Sequence, residues 1–483
     1  MPDEASFAAG IFPRSRFGLK YDRVQIPVGC LCFREPLTNW VGLCGRLSGC
    51  SWFQFGLRRM LLLFLATCAH LGWAADNLPA PSVLDVKGVV ACYWETYLYP
   101  KFTSQDIEAD LCNHILYGTA MLDKTTSELT HDNVTIDIDL GGFRNMSEMK
   151  TQNPRLKVEI GAWSQQHGAW QTPKEYFEMA SDAAKRKTFV KSVVTFVTKH
   201  DFDGFHLHWG NPKSSDIDLG EAKAKLTLLL RELKTALHMV DKTLSLAIWS
   251  PLASKIDKKF EIGKIYKEAD LVFVNAFHYF GNWFQKTGGF APLYPVVPEE
   301  VPDEQYHNVD FSWQHMKRRK AIPCKTVLVV SPKGSGFKLK SADENGMGAP
   351  SIEGAVPSIG DEPKFNEVCR MVEPAGEWMR VWDEERKVSY MHRGDEWVSY
   401  EDEQSVEAKV NYANMEGLAG LAINNLAYDD FAGRCNSSNR FPLVRLVKEK
   451  LRTGVGCTET SSASFTTISP ALLLLPALFT FKV

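Results

Sequence analysis

Eight apolar runs of strand length, most of them separated by helical stripes, constrain the fold of this 483-residue chain more than any other feature. They are the run opening at Val86 (VKGVVACYW), Asn113 to Ala120, Leu156 to Trp163, Phe202 to Trp209, Leu244 to Trp249, Leu271 to Phe280, Thr326 to Pro332 and Gly417 to Asn424. Most are continuously apolar, the pattern of strands buried on both faces of a parallel sheet. Between them lie residues at helical spacing. Phe189, Val190, Val193, Val194 and Val197 form one stripe, and Leu226, Leu229, Leu230, Leu233 and Leu237 another. Regular strand–helix alternation over eight units predicts an α/β protein, a (β/α)8 TIM barrel. The alternation stops between Gly336 and Gln404. There WMRVWDEERKVSYMHRGDEWVSYED alternates with period two about Arg393, Gly394 and Asp395, which predicts a hairpin. Its Arg-Gly-Asp tripeptide suggests adhesion, but a Gly-Asp turn is sufficient structural reason for it.

Composition narrows the class. Hydrophobic residues make up 45% and charged residues 23%, as in an ordinary globular protein. A net charge of −3 argues against nucleic acid as a partner, since phosphate binding needs a basic surface. Eleven cysteines are too few for a disulfide scaffold at this length but suit a secreted protein with a few bridges.

Residues 1–59 show no usable pattern; Cys30, Cys32, Cys44 and Cys50 have no His cluster beside them. They are read as an unassigned extension, with Met60 as the start of translation. Arg58 and Arg59 followed by an apolar run from Leu61 to Ala75 predict a secretory signal peptide over 60–75, with a signal anchor as the alternative. The folded domain then covers 84–450. Beyond it, 451–483 combine a small, polar spacer with the tail SPALLLLPALFTFKV, which matches a lipid-anchor (GPI) signal with attachment near Ser461. The alternative is a merely hydrophobic terminus. Asn133, Asn145 and Asn436 head N-glycosylation sequons. Together these features predict a secreted or cell-surface protein whose membrane contact runs through a C-terminal lipid anchor.

The stretch FDGFHLHWGNP, Phe202 to Pro212, carries the chemistry. On a strand, Phe205, Leu207 and Trp209 share one face, and His206 and His208 the other. The stretch resembles the D-G-x-D-x-D-W-E signature of the family-18 glycoside hydrolases, the chitinases. Asp203, Gly204, Trp209 and Pro212 keep the frame, while His206 and His208 replace the inner Asp residues and Gly210 replaces the Glu. The resemblance extends over about Val86 to Lys450 and implies a small α+β insertion, about 336–404, after the seventh strand. In that family the substrate's acetamido group is the nucleophile, and the Glu protonates the leaving oxygen. Gly210 has no side chain with which to donate.

The resemblance also implies that Tyr279 and Phe280 stand where chitinases place a Tyr-Asp pair, and Asn424 where they place the Trp floor under the sugar. It implies bridges Cys92–Cys112 and Cys369–Cys435, leaving Cys324 and Cys457 to pair together or stay free. It places Tyr93, Tyr97, Trp163, Tyr279 and Trp283 as glycan-binding candidates, with rings that stack on sugars or simply fill the barrel mouth. Glu159 and Asp203 are expected to pair with polar groups inside the barrel.

The reading that follows is a catalytically inactive chitinase-like protein, monomeric, without cofactor or metal, that binds chitin-like or other glycans or acts in signalling. One alternative is a metal-dependent hydrolase using His206 and His208, although the expected strand ends offer no further His or Asp ligand. Another is a structural or interaction domain with a closed groove.

Overall fold

The computed structural model describes residues 88–452 except 164, 167–168, 171–172, 210–217, 251–252, 296–305, 373–376 and 436–438. The expected extension, signal peptide and anchor signal, with Ser461, lie outside the described residues. So do Gly210, Asn436 and Cys457.

Eight parallel strands form a closed ring. They are β1 (Val89–Glu95), β2 (His114–Leu122), β3 (Lys157–Ala162), β4 (Gly204–His208), β5 (Thr243–Trp249), β6 (Leu271–Asn275), β7 (Thr326–Val330) and β8 (Gly420–Ile423). Each pairs with its sequence neighbour, and β1 pairs with both β2 and β8, which closes the barrel. A short strand, Leu129–His131, runs antiparallel on β2.

Period-two geometry divides the strand residues between two cores. Val90, Cys92, Trp94, Phe205, Leu207 and Leu328 face outward into the layer packed by helices. Ala91, Tyr93, Leu116, Ala247, Phe273, Val327 and Ala422 face inward and fill the barrel with Trp163. Both predicted helical stripes lie against the outer layer. Helix Ala183–Lys199 buries Phe189, Val190, Val193 and Val197, and helix Leu219–His238 buries all five leucines.

Two strands are shorter than the sequence suggests. β6 ends at Asn275 rather than Phe280, because the backbone leaves the extended region and His278 takes φ 61°. β8 begins at Gly420, because Gly417, at φ 65°, caps helix Glu403–Glu416 with a left-handed turn suited to glycine.

The insertion between β7 and β8 is a four-stranded antiparallel sheet ordered Gly334–Lys338, Glu396–Tyr400, Val388–Arg393, Met379–Asp383. The predicted hairpin is its central pair. Arg393 pairs with Glu396 at 2.7 Å and lies over the Trp378 ring, while Asp395 pairs with Lys338 at 2.7 Å. Both charged residues of the tripeptide therefore serve the insertion's own turn. A buried ion pair, Lys409–Glu401 at 2.8 Å, ties the following helix to the sheet.

The bridges Cys92–Cys112 and Cys369–Cys435 are both present. Cys324 is also disulfide-bonded. Asn133 and Asn145 are half-buried, and the Asn145 amide donates to Ser104 Oγ at 2.9 Å.

Candidate functional site at the barrel mouth

The C-terminal ends of the strands form the face on which barrels of this kind carry their chemistry. On the β3–β5 side His206 points inward and is completely buried. Its Nδ1 lies 2.7 Å from Ser245 Oγ and its Nε2 3.3 Å from Tyr93 Oη. Ser245 has one hydroxyl hydrogen, and Glu159 Oε2 accepts it in a short bond. Ser245 must then accept from His206 Nδ1–H, so Tyr93 donates to Nε2. The ring is thereby assigned as the neutral Nδ1–H tautomer. Burial holds its pKa well below the ordinary histidine value, reinforced by His208 and His114.

Glu159 Oε1 accepts from Thr243 Oγ1 at 2.7 Å, and His114 Nε2 stands 3.6 Å from Oε2. The expectation that Glu159 pairs inside the barrel is met. Asp203 instead sits before β4, at the opposite end, where it accepts from Val158 N and faces Lys150 at 3.4 Å and Lys157 at 3.6 Å. His208, one repeat up the strand, is depressed by burial to a pKa of about 4. Among the described residues, no three His, Cys, Asp or Glu side chains come together in a group suited to hold a metal ion.

Tyr93 and Trp163 belong to the same buried cluster, with 2% and 3% of their surface exposed. The Trp163 indole lies in a slot made by Gly118 and Gly161, where an added Cβ would sit 1.8 Å from the ring at either position. Tyr97 and Trp283 are 43% and 48% exposed and present ring surface to solvent.

Tyr279 needs correction. It turns away from the mouth, is 3% exposed, and bonds Ser312 Oγ at 2.7 Å in the helix layer, while Phe280 packs on Phe284. The residues that face the mouth after β6 are Phe277, which packs on Trp249 in the interior cluster, and His278. The two-residue offset follows from the early end of β6.

The β7–β8–β1 side carries a polar network that the sequence reading missed. Glu95 ends β1 on the inward face of Ala91 and Tyr93, and its Oε2 accepts from Asn425 Nδ2 at 2.8 Å. Burial raises its pKa, against hydrogen bonds from Tyr97 and Asn425 and the charge of Lys333. Lys333, just after β7, pairs with Glu362 at 2.8 Å and lies 4.9 Å from the centre of the Tyr428 ring. Burial opposes its charge, yet Tyr428 and Glu362 hold its pKa above the ordinary value. His278 Nδ1 is 3.5 Å from Glu362. Tyr97 Oη and Tyr428 Oη are 2.6 Å apart. Asn424, in the position of the expected floor, is half-buried beside this network. The signal for Glu95 was available: a charged residue continuing an inward-facing period at a strand's C-terminal end. Lys333 and Glu362 lie on loops, where no such period exists.

Comparison with known proteins agrees with this architecture. The chain shares 28% identity over 387 residues with the endochitinase of Manduca sexta, covering 76% of this chain and 68% of the moth protein. It shares 28% over 367 residues with human chitinase-3-like protein 2, covering 73% and 88%. The solved structure of human YKL-39, described as a pseudo-chitinase with retained chitooligosaccharide binding properties, superposes with a TM-score of 0.67 at 24% identity, over 75% of this chain and 99% of that one. Residues 89–429 match the sequence profile described as Glycosyl hydrolases family 18. This chitinase-like chain belongs to the glycosyl hydrolases of family 18.

Proposed function

We propose that the protein is a family-18 member that binds chitin-like glycans and does not hydrolyse them. The observation that carries this reading is the sequence over β4 and the residues that follow it. Glycine stands at position 210, where the family signature ends in its acid, and histidines stand at the two supporting carboxylate positions. His206 is neutral and committed to Tyr93 and Ser245, so it has no proton to pass to a glycosidic oxygen. Glycan binding draws support from the relative described as a pseudo-chitinase that retains chitooligosaccharide binding. The exposed rings of Tyr97 and Trp283 supply faces for stacking. With the signal peptide at 60–75 and the anchor at Ser461, the protein works outside the cell, secreted or held at its surface.

Calorimetry with chitohexaose, beside a hydrolysis assay on the same sugar, tests the proposal. Binding without turnover is expected, and Tyr97→Ala weakens binding by about fivefold, the worth of roughly 1 kcal/mol of ring stacking. Turnover by the purified protein above a no-enzyme control refutes it.

A second reading is favoured by one observation. The Tyr97–Tyr428 contact and the Lys333 ammonium over the Tyr428 ring clasp the mouth from β1 to β8. A mouth held shut in this way would make the fold an interaction domain, and chitohexaose would then not bind at all.

A further inference from the structure

A cavity of about 300 Å³ opens beside the mouth, between the segment after β1, the insertion's short helix and the segment after β8. Lys101, Lys364, Arg370 and Arg434 line it. Lys101, Arg370 and Arg434 are exposed, and none of the three has an ion-pair partner among the described residues. Lys364 has one ion-pair partner among the described residues, Glu367 at 3.7 Å, and its ammonium lies 5.7 Å from the centre of the Tyr428 ring.

The two acids of the lining do not balance these charges. Asp430 is 1% exposed, and its two oxygens accept from the backbone N–H groups of Arg434 and Cys435 at 2.9 and 2.7 Å. Glu367 is turned back onto the Lys364 backbone N–H at 2.9 Å. Four cations thus line the cavity against two acids, an excess of positive charge, and both acids are held to nearby backbone.

The position of the two arginines is set covalently. Arg370 follows Cys369 and Arg434 precedes Cys435, and those cysteines form the bridge, with Cα atoms 5.6 Å apart. Asn366 Nδ2 reinforces it, donating to the carbonyls of Ala427 at 2.8 Å and Asp429 at 3.3 Å. Like charges on two walls repel, and here the walls cannot separate. An anion between them relieves that repulsion, and planar guanidinium groups suit the paired oxygens of a sulfate or carboxylate. Phe431, half-buried, and the edge of Tyr428 add aromatic surface to the same cavity.

We propose that this cavity is an anion subsite for an acidic saccharide, one bearing sulfate or carboxylate groups, with Arg370 and Arg434 holding the anionic group. The inference is independent of whether the mouth binds neutral chitin.

The test compares three probes on the full chain: 6-O-sulfated chitohexaose, 6-carboxylated chitohexaose and inorganic sulfate. At least one acidic oligosaccharide is expected to bind, more weakly as salt rises. The double variant Arg370→Gln/Arg434→Gln is expected to lower that affinity by at least about tenfold, the worth of one charge-assisted contact. Its melting temperature and its Cys369–Cys435 bridge should be retained. Lys101→Gln, remote from the bridge, gives a second, smaller loss. The proposal falls if neither acidic sugar binds, if the double variant binds as well as the parent, or if inorganic sulfate binds as tightly as the oligosaccharides.

Discussion

The two sides of the barrel mouth handle polar groups in opposite ways. On the β3–β5 side a directed chain, Tyr93 to His206 to Ser245 to Glu159, runs through the dry interior among the rings of Trp163 and Phe273. Every proton on it has one acceptor, and the charge is confined to the far end. On the β7–β8–β1 side, Glu95, Lys333 and Glu362 gather at the rim, with Tyr97 open to solvent. The first side buries its polar groups in one directed chain among rings, and the second gathers two carboxylates and an ammonium around a pair of tyrosines.

The largest effect should come from cutting the dry chain. Ser245→Ala strands a buried carboxylate oxygen and an imidazole N–H together, and should cost about 3 kcal/mol in urea unfolding. A loss below about 0.5 kcal/mol would mean the chain is not held in the dry interior and would erase the contrast between the two sides.

The next effect is on pH dependence. His206 and His208 stay neutral when folded, His208 down to about pH 4, whereas an unfolded histidine takes up its proton near 6.5. Between those values the unfolded chain binds more protons, so stability falls as pH falls from about 6.5 to 4. His208→Gln should flatten that slope by up to about 1.4 kcal/mol per pH unit, read from unfolding curves across the interval.

A smaller change is expected at the rim. Lys333 is 25% exposed, so Lys333→Met should cost only about 1 kcal/mol, because water screens the carboxylates it leaves. A loss as large as that of Ser245→Ala would show the two sides to be equally dry. The smallest effect is a null one: Gly210→Glu alone should leave chitohexaose hydrolysis at background, since the neighbouring positions remain histidines. Appreciable turnover would mean that the side chain at 210 was the whole of the difference.

The barrel was legible because parallel strands buried on both faces repeat apolar residues without interruption, and the leucine stripe of helix Leu219–His238 left no ambiguity of face. Gly204, Phe205, His206 and Leu207 could be assigned to faces for the same reason: period two is rigid along a strand. Register failed after β6, where Phe277, His278, Tyr279 and Phe280 are four ring-bearing residues in succession. Nothing in such a run marks which ring turns inward, and the left-handed turn at His278 decides it. The rim network was hidden for a different reason. Lys333, Glu362 and Asn425 come from loops far apart in the chain, and only closure of the barrel and docking of the insertion bring them together.

The direction of the buried chain has a consequence for what position 206 can hold. Ser245 offers one hydrogen, and Glu159 already takes it. An ionised aspartate at position 206 would set two acceptors against that single hydrogen at a fully buried position. An acid at position 206 would have to carry its own proton to join this chain, whereas the neutral imidazole joins it as it stands.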